Sequence, residues 1–178
     1  MRARQVRSPS PDTPVGDYIS SMADRDRDTL GKPRNARPRD RLGRPLEWGE
    51  EGFPTMPDDL DLDPNEAITE AQRLLDHELP FHAHEVLESA WKKAPHEERG
   101  LWQGLAQLAV AVTHQMRGNP AGAVSLLRQG RHRIVPFEDD PPHALDITGL
   151  VAWADHLIVE LDRHTPPDTV PVPRLRMP

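Results

Sequence analysis

The 178-residue chain contains no cysteine. Disulfides, thiolate zinc sites and cysteine nucleophiles are therefore excluded, and the composition suits a reducing compartment. No apolar run reaches the ~18 residues expected of a membrane-spanning helix. The basic N-terminus lacks the continuous apolar segment of a secretory signal. A soluble, cytoplasmic protein with no membrane association is expected. No stretch shows the strict alternation of a strand. A phosphate-binding glycine loop, a nucleotide fingerprint and a serine–histidine–acid order are also missing.

What is present is unevenly distributed. Residues 1–49 hold eleven Lys/Arg against seven Asp/Glu, a net of +4, while residues 50–178 hold eleven against twenty-two, a net of −11. An acidic body repels phosphate backbones, which disfavours nucleic-acid binding by the domain itself. The basic arm could touch RNA, DNA or an acidic partner, but its Arg/Pro/Asp mixture reads first as disorder. Proline marks the boundaries: of twenty, eight lie in residues 1–60, eight in 136–178, and only Pro64, Pro80, Pro95 and Pro120 between. The expected organisation is a largely disordered basic arm over 1–59, a helical domain over 60–165 and an extended tail over 166–178. Within the arm, "LGRPLEWG" (42–49) stands apart, with Leu42, Leu46 and Trp48 as candidate pins onto the domain.

The central prolines sit near helix starts, where a missing N–H does no harm. Asp63, Pro64 and Glu66 form a candidate N-cap, first helical residue and capping-box glutamate, followed by an apolar face of Ile68, Ala71, Leu74 and Leu75. A second helix is predicted over about 81–93 and a third, apolar over much of its circumference, over about 96–117. "RGNP" ends it, with Gly118 suited to a left-handed C′ position, Asn119 to an N-cap and Pro120 to the first residue of the next helix. That fourth helix is expected to reach about Gln129. A fifth follows, with Leu150, Trp153, Leu157 and Leu161 on one side. The fold class is all-α, a compact bundle of about five helices between a disordered N-terminal arm and a proline-rich C-terminal tail.

The second helix carries the chemistry. Phe81, His84, Glu88 and Trp91 follow the spacing i, i+3, i+7, i+10 and share a helix face. A buried carboxylate is expensive unless paired, so an inward-facing pair needs partners. His84 and Glu88 are expected to face inward and to form one polar unit with the third helix, an antiparallel neighbour that offers Gln103, Gln107 and His114. Three readings of His84 and Glu88 stand open: a polar pair that specifies register, a metal or catalytic site, and simple exposure.

These residues make an HxxxExxW pattern on His84, Glu88 and Trp91. Together with "ERGLWQGLAQLAVAVTHQMRGNPAGAVSLL" (98–127), they resemble the bacterial and archaeal family called domain of unknown function 309, over about residues 65–130. The resemblance implies a small all-helical domain without an assigned role. It places the motif on His84, Glu88 and Trp91 and names no chemistry for them.

Two functions compete. In the first, the chain is a binding or adaptor module built on a helical hairpin, taking a protein, peptide or small ligand between helices over His84 and Glu88. In the second, it is a small metal-dependent or acid/base enzyme of hydrolase type. His84 and Glu88 at i, i+4 could then point at one divalent ion, with His114, Glu85 or His82 completing the shell, although His82 lies well off their face. No cofactor is evident from the sequence.

Overall fold

A computed structural model describes residues 37–54, 56–57, 60–163 and 170–177. The chain divides between residues 37 and 38 into two units, and every helix among the described residues lies in the second. Of the arm expected over residues 1–59, residues 1–36, 55 and 58–59 lie outside the described residues.

Among the described residues five α-helices run in chain order: α1 (Pro64–Asp76), α2 (Pro80–Lys93), α3 (Arg99–Met116), α4 (Pro120–Ile134) and α5 (Ile147–Asp162). The fold is an all-α bundle, and the described residues contain no strand, only an isolated bridge between Arg39 and Pro45. Each helix packs mainly on its neighbours in sequence. No described helix is long and apolar enough to cross a membrane.

Local chemistry explains the starts and stops. Asp63 Oδ1 accepts from Asn65 and Glu66 N–H, and Glu66 Oε2 accepts from Asp63 N–H at 3.0 Å, closing a capping box ahead of α1. Gly118, at φ +74°, ends α3 in the left-handed region, and Asn119 caps α4 by accepting from Gly122 N–H at 3.0 Å. Pro64, Pro80 and Pro120 each open a helix. A short 3₁₀ turn, His96–Glu98, precedes α3.

The fourth helix passes Gln129 and ends at Ile134. Gly130 does not stop it because it serves a close approach: a Cβ there would sit 2.9 Å from the Gly104 carbonyl, and one on Gly104 would sit 3.0 Å from the Gly130 carbonyl. The α3 and α4 backbones therefore meet at paired glycines. The core around them includes Trp102, Leu105, Leu108, Leu127 and Ile134. On α5, Leu150, Leu157 and Leu161 are buried, and Trp153 packs half-buried at the rim.

Two extended segments lie on this bundle. Residues 38–54 form a strap over the start of α2 and the end of α3. Leu42 is buried in it at 9% exposure and Leu46 half-buried, whereas Trp48, at 58%, faces solvent. Of the three candidate pins, Leu42 is the buried one and Trp48 the most exposed. Arg117 at the end of α3 donates from Nε to the Leu42 carbonyl at 3.0 Å. Residues 170–177 run between α1 and α5, with Pro173 and Leu175 buried.

Candidate functional site

The buried side of α2 consists of Pro80, His82, Ala83, Val86 and Leu87. Phe81, His84, Glu88 and Trp91 are all half-buried and form the rim of that face. The inward orientation expected for His84 and Glu88 is corrected accordingly. Small and branched residues let α2 approach its neighbours closely, and the larger aromatic and polar side chains cover the edges of the contact.

Along this rim, His84 Nε2 lies 3.1 Å from Glu88 Oε2, and Lys92 Nζ lies 2.8 Å from Glu88 Oε1. One carboxylate thus bridges two nitrogen groups, each four residues away on the same helix. The side chains of His84 and Glu88 are 23% and 35% exposed. Burial pushes the His84 imidazole below its ordinary pKa, and Glu88 and the Phe81 carbonyl pull it back only in part. The hydrogen bond from Lys92 holds the Glu88 carboxyl below its ordinary value against burial, and His84 adds to this. Near neutral pH this describes a neutral imidazole donating Nε2–H to a carboxylate. His84 Nδ1 is enclosed and makes no hydrogen bond of normal geometry.

The strap covers one end of the rim. The Phe81 ring packs against Gly43, whose missing side chain makes room for it, and the Arg39 guanidinium carbon stands 5.8 Å from the ring centre. Phe81 also tilts against His84, ring centres 5.8 Å apart. At the other end, Trp91 packs against the core cluster from its margin.

The polar residues expected from α3 go elsewhere. Gln107 Nε2 donates to Gln129 Oε1 on α4 at 3.4 Å. His114 Nδ1 accepts from Asn119 Nδ2 at 2.8 Å, at the turn into α4, and burial, then Arg117, lowers its pKa. Gln103 is half-buried on the same helix. None of the three hydrogen-bonds to His84 or Glu88. The expected joint unit with α3 is therefore not formed, because this stripe of α3 turns toward α4. Among the described residues no three His, Asp or Glu side chains group as a metal site, so the candidate set His84, Glu88 and His114 is not brought together.

His82, considered as an extra ligand, has a different place. It is 3% exposed, donates Nε2–H to the Pro54 carbonyl at 3.0 Å and stacks tilted on Phe53 at 4.9 Å. Burial lowers its pKa. It holds the strap and lies apart from the His84–Glu88 pair.

A second histidine–carboxylate pair had no periodic signal in the sequence. His143 Nε2 meets Glu98 Oε2 at 2.8 Å, and Trp102 Nε1 donates to the same oxygen at 3.1 Å. Burial raises the Glu98 pKa, but these two hydrogen bonds outweigh it and hold the carboxyl low. His143 and Ala144 both adopt left-handed backbone, φ 57° and 54°. The proline pair before them is the only local hint of so tight a turn.

Fold and rim together define the class: a small helical domain with a half-exposed histidine–glutamate–lysine line on its second helix. Residues 68–126 match the model of the family described as Domain of unknown function (DUF309). That stretch contains the rim from Phe81 to Trp91. The chain is 44% identical over 62 residues to "Uncharacterized protein YpuF" of Bacillus subtilis (strain 168), covering 31% of this chain and 36% of the relative. The match thus spans about a third of the relative's length. No solved structure matches the chain.

Proposed function

We propose that this domain is a cytoplasmic binding module, an adaptor whose recognition edge is the α2 rim of Phe81, His84, Glu88 and Trp91. One observation carries the reading: the rim is half-exposed, and its charges are set within α2 itself without help from α3. Two aromatic side chains bracket a carboxylate that Lys92 and His84 already orient. Such an edge offers apolar contact at its Trp91 end and a directed acceptor beside it, which suits a peptide or small polar ligand carrying N–H donors. The acidic balance of residues 50–178 supports a protein or peptide partner over a nucleic acid.

The acid/base enzyme reading draws on the same pair. A neutral His84 oriented by a carboxylate resembles a general base. Its second nitrogen, which would have to reach a reacting group, is enclosed, and this favours binding over catalysis.

The test places a photo-crosslinking residue at Lys92, whose side chain is 65% exposed, and compares it with the same residue at His156 on α5, 70% exposed. A discrete product in cells at position 92, absent at 156 and lost with Glu88→Ala, is expected. Equal crosslinking at both positions, or a product indifferent to Glu88, would remove the basis for a recognition edge on α2.

A further inference from the structure

Residues 170–177, "VPVPRLRM", lie along α1 and α5 as a ligand would lie in a peptide groove. Among the described residues the segment makes no main-chain hydrogen bond within itself. Its main chain is held by other parts of the fold. Gln72 on α1 acts as a two-way clamp: Nε2 donates to the Pro173 carbonyl at 3.2 Å, and Oε1 accepts from Leu175 N–H at 2.8 Å. Trp153 Nε1 on α5 donates to the Pro171 carbonyl at 3.1 Å, and Asp146 N–H donates to the Leu175 carbonyl at 2.9 Å. Four main-chain atoms are therefore read by groups outside the segment, in the manner of domains that bind extended peptides.

Side chains add selectivity. Pro173 and Leu175 are buried, and Arg174 between them points out to Asp76, with Nη1 at 3.2 Å from both carboxylate oxygens. Arg176 spans three acceptors: Asn65 Oδ1 at 2.6 Å, the His143 carbonyl at 3.0 Å and Thr69 Oγ1 at 3.5 Å. Beside the segment an open groove of about 650 Å³ continues along Ile68, Thr69 and Arg73. Pro171 and Pro173 restrict the unbound segment and lower the entropy lost on docking.

We infer that the α1–α5 groove is an exchangeable peptide-binding site. Its resident occupant is the chain's own segment 170–177. When that segment leaves, the groove takes an extended partner peptide of the same chemistry: two buried apolar residues two positions apart, with arginine between and after them. The groove is formed by α1, α5 and the turn before α5, so it stands independently of the α2 rim. The resident segment acts as a built-in competitor, and the affinity for an outside peptide falls in proportion to the fraction of molecules with the groove open.

A fluorescent peptide of sequence VPVPRLRM, titrated with the full chain and followed by polarisation, tests this. Arg174→Ala with Arg176→Ala loosens the resident segment without touching its buried side chains. That variant is expected to bind the peptide at least tenfold more tightly than the unmodified chain. Adding Gln72→Ala should erase the gain, and His84→Ala should leave it unchanged. If the loosened chain loses helicity by circular dichroism, Leu175→Ala serves in its place. The inference is overturned if neither loosened variant binds saturably while helical, or if a peptide with aspartate for its leucine binds equally well. Concentration-dependent dimerisation without uptake of free peptide would also overturn it, because the occupant would then be a second copy of the chain.

Discussion

The strap 38–54 and the segment 170–177 have similar compositions, rich in proline and arginine, yet they are held in opposite ways. The strap carries much of its own structure. Asp40 Oδ1 accepts from Leu42 and Arg44 N–H, Gly43 N–H returns to the Asp40 carbonyl, and Leu46 N–H reaches Pro38. It arrives at the bundle as a turn and docks through Leu42, the Phe81 ring over Gly43, and His82. The segment 170–177 has no such internal order and depends on the helices for its main-chain partners. A self-bonded strap resists piecemeal loss. A segment that borrows all its hydrogen bonds can leave with its own structure unspent.

The largest effect expected from this contrast is that of Leu175→Ala. Truncating a buried leucine costs about 2–5 kcal/mol, and Leu175 is 2% exposed. Native-state hydrogen exchange should show the protection of the Leu175 amide, the donor to Gln72, collapsing. Leu42→Ala, within a turn that keeps its own bonds, should cost about 2 kcal/mol or less and leave the strap's inner amides partly protected. Equal collapse of both segments would end the distinction.

Next in size is Gly43→Ala. Gly43 sits at φ +75°, and a Cβ would overlap the Phe81 ring. Left-handed backbone alone costs a residue with a side chain about 1–2 kcal/mol. Urea unfolding should show that loss or more, and proteolysis within the strap should accelerate. An unchanged midpoint would mean that the strap and Phe81 shift together.

A smaller, graded effect is expected from acid. His82 is neutral when folded because burial lowers its pKa, whereas an unfolded chain takes up a proton near pH 6.5. The unfolded state then binds more protons, so stability is complete above that pH and declines as pH falls from it toward the lowered folded value. His84 acts in the same direction, while Glu88 and Glu98, both held low, stabilise fully above the usual carboxylate range and lose that contribution only as pH falls below it. Between pH 7.5 and 5.5, exchange protection should fall in the strap and hold in 170–177, which contains no histidine. His82→Gln, with an amide that can still donate to Pro54, should flatten the strap's response. Parallel losses in both segments would assign the pH effect elsewhere.

The smallest effect concerns the pair one turn beyond the Phe81 ring that the strap covers. Half-exposed helix pairs contribute below about 1 kcal/mol, so Glu88→Ala should cost little. Double-mutant cycles of Glu88→Ala with Gln107→Ala or His114→Ala should be additive within about 0.3–0.5 kcal/mol, whereas cycles with His84→Ala or Lys92→Ala, whose side chains meet the carboxylate, should couple. Measurable coupling to Gln107 would restore the joint unit with α3.

Helix ends were the most legible feature, because the Asp63–Glu66 capping box and the Gly118–Asn119–Pro120 junction are local chemistry written in consecutive residues. The facing of α2 was not legible in the same way. Aromatic size drew attention to Phe81 and Trp91, yet Ala83, Val86 and Leu87 make the close contact, and helical spacing alone does not say which of two adjacent stripes turns inward. The docking of Leu42 depends on room at Gly43 and on an acceptor for Arg117, both contributed by the fold at long range. The His143–Glu98 pair joins positions 45 residues apart through a left-handed turn that no periodicity announces.

Packing of each helix on its sequence neighbours bears on how the chain assembles. Contacts between adjacent helices close short loops, and topologies dominated by such contacts fold within microseconds to milliseconds. The contact of residues 170–177 with α1 departs from this pattern: Leu175 reaches back to Gln72 across 103 positions. Closing so long a loop is entropically the most expensive step, so this contact should form last. In stopped-flow refolding, Gln72→Ala is expected to speed unfolding and leave the folding rate nearly unchanged.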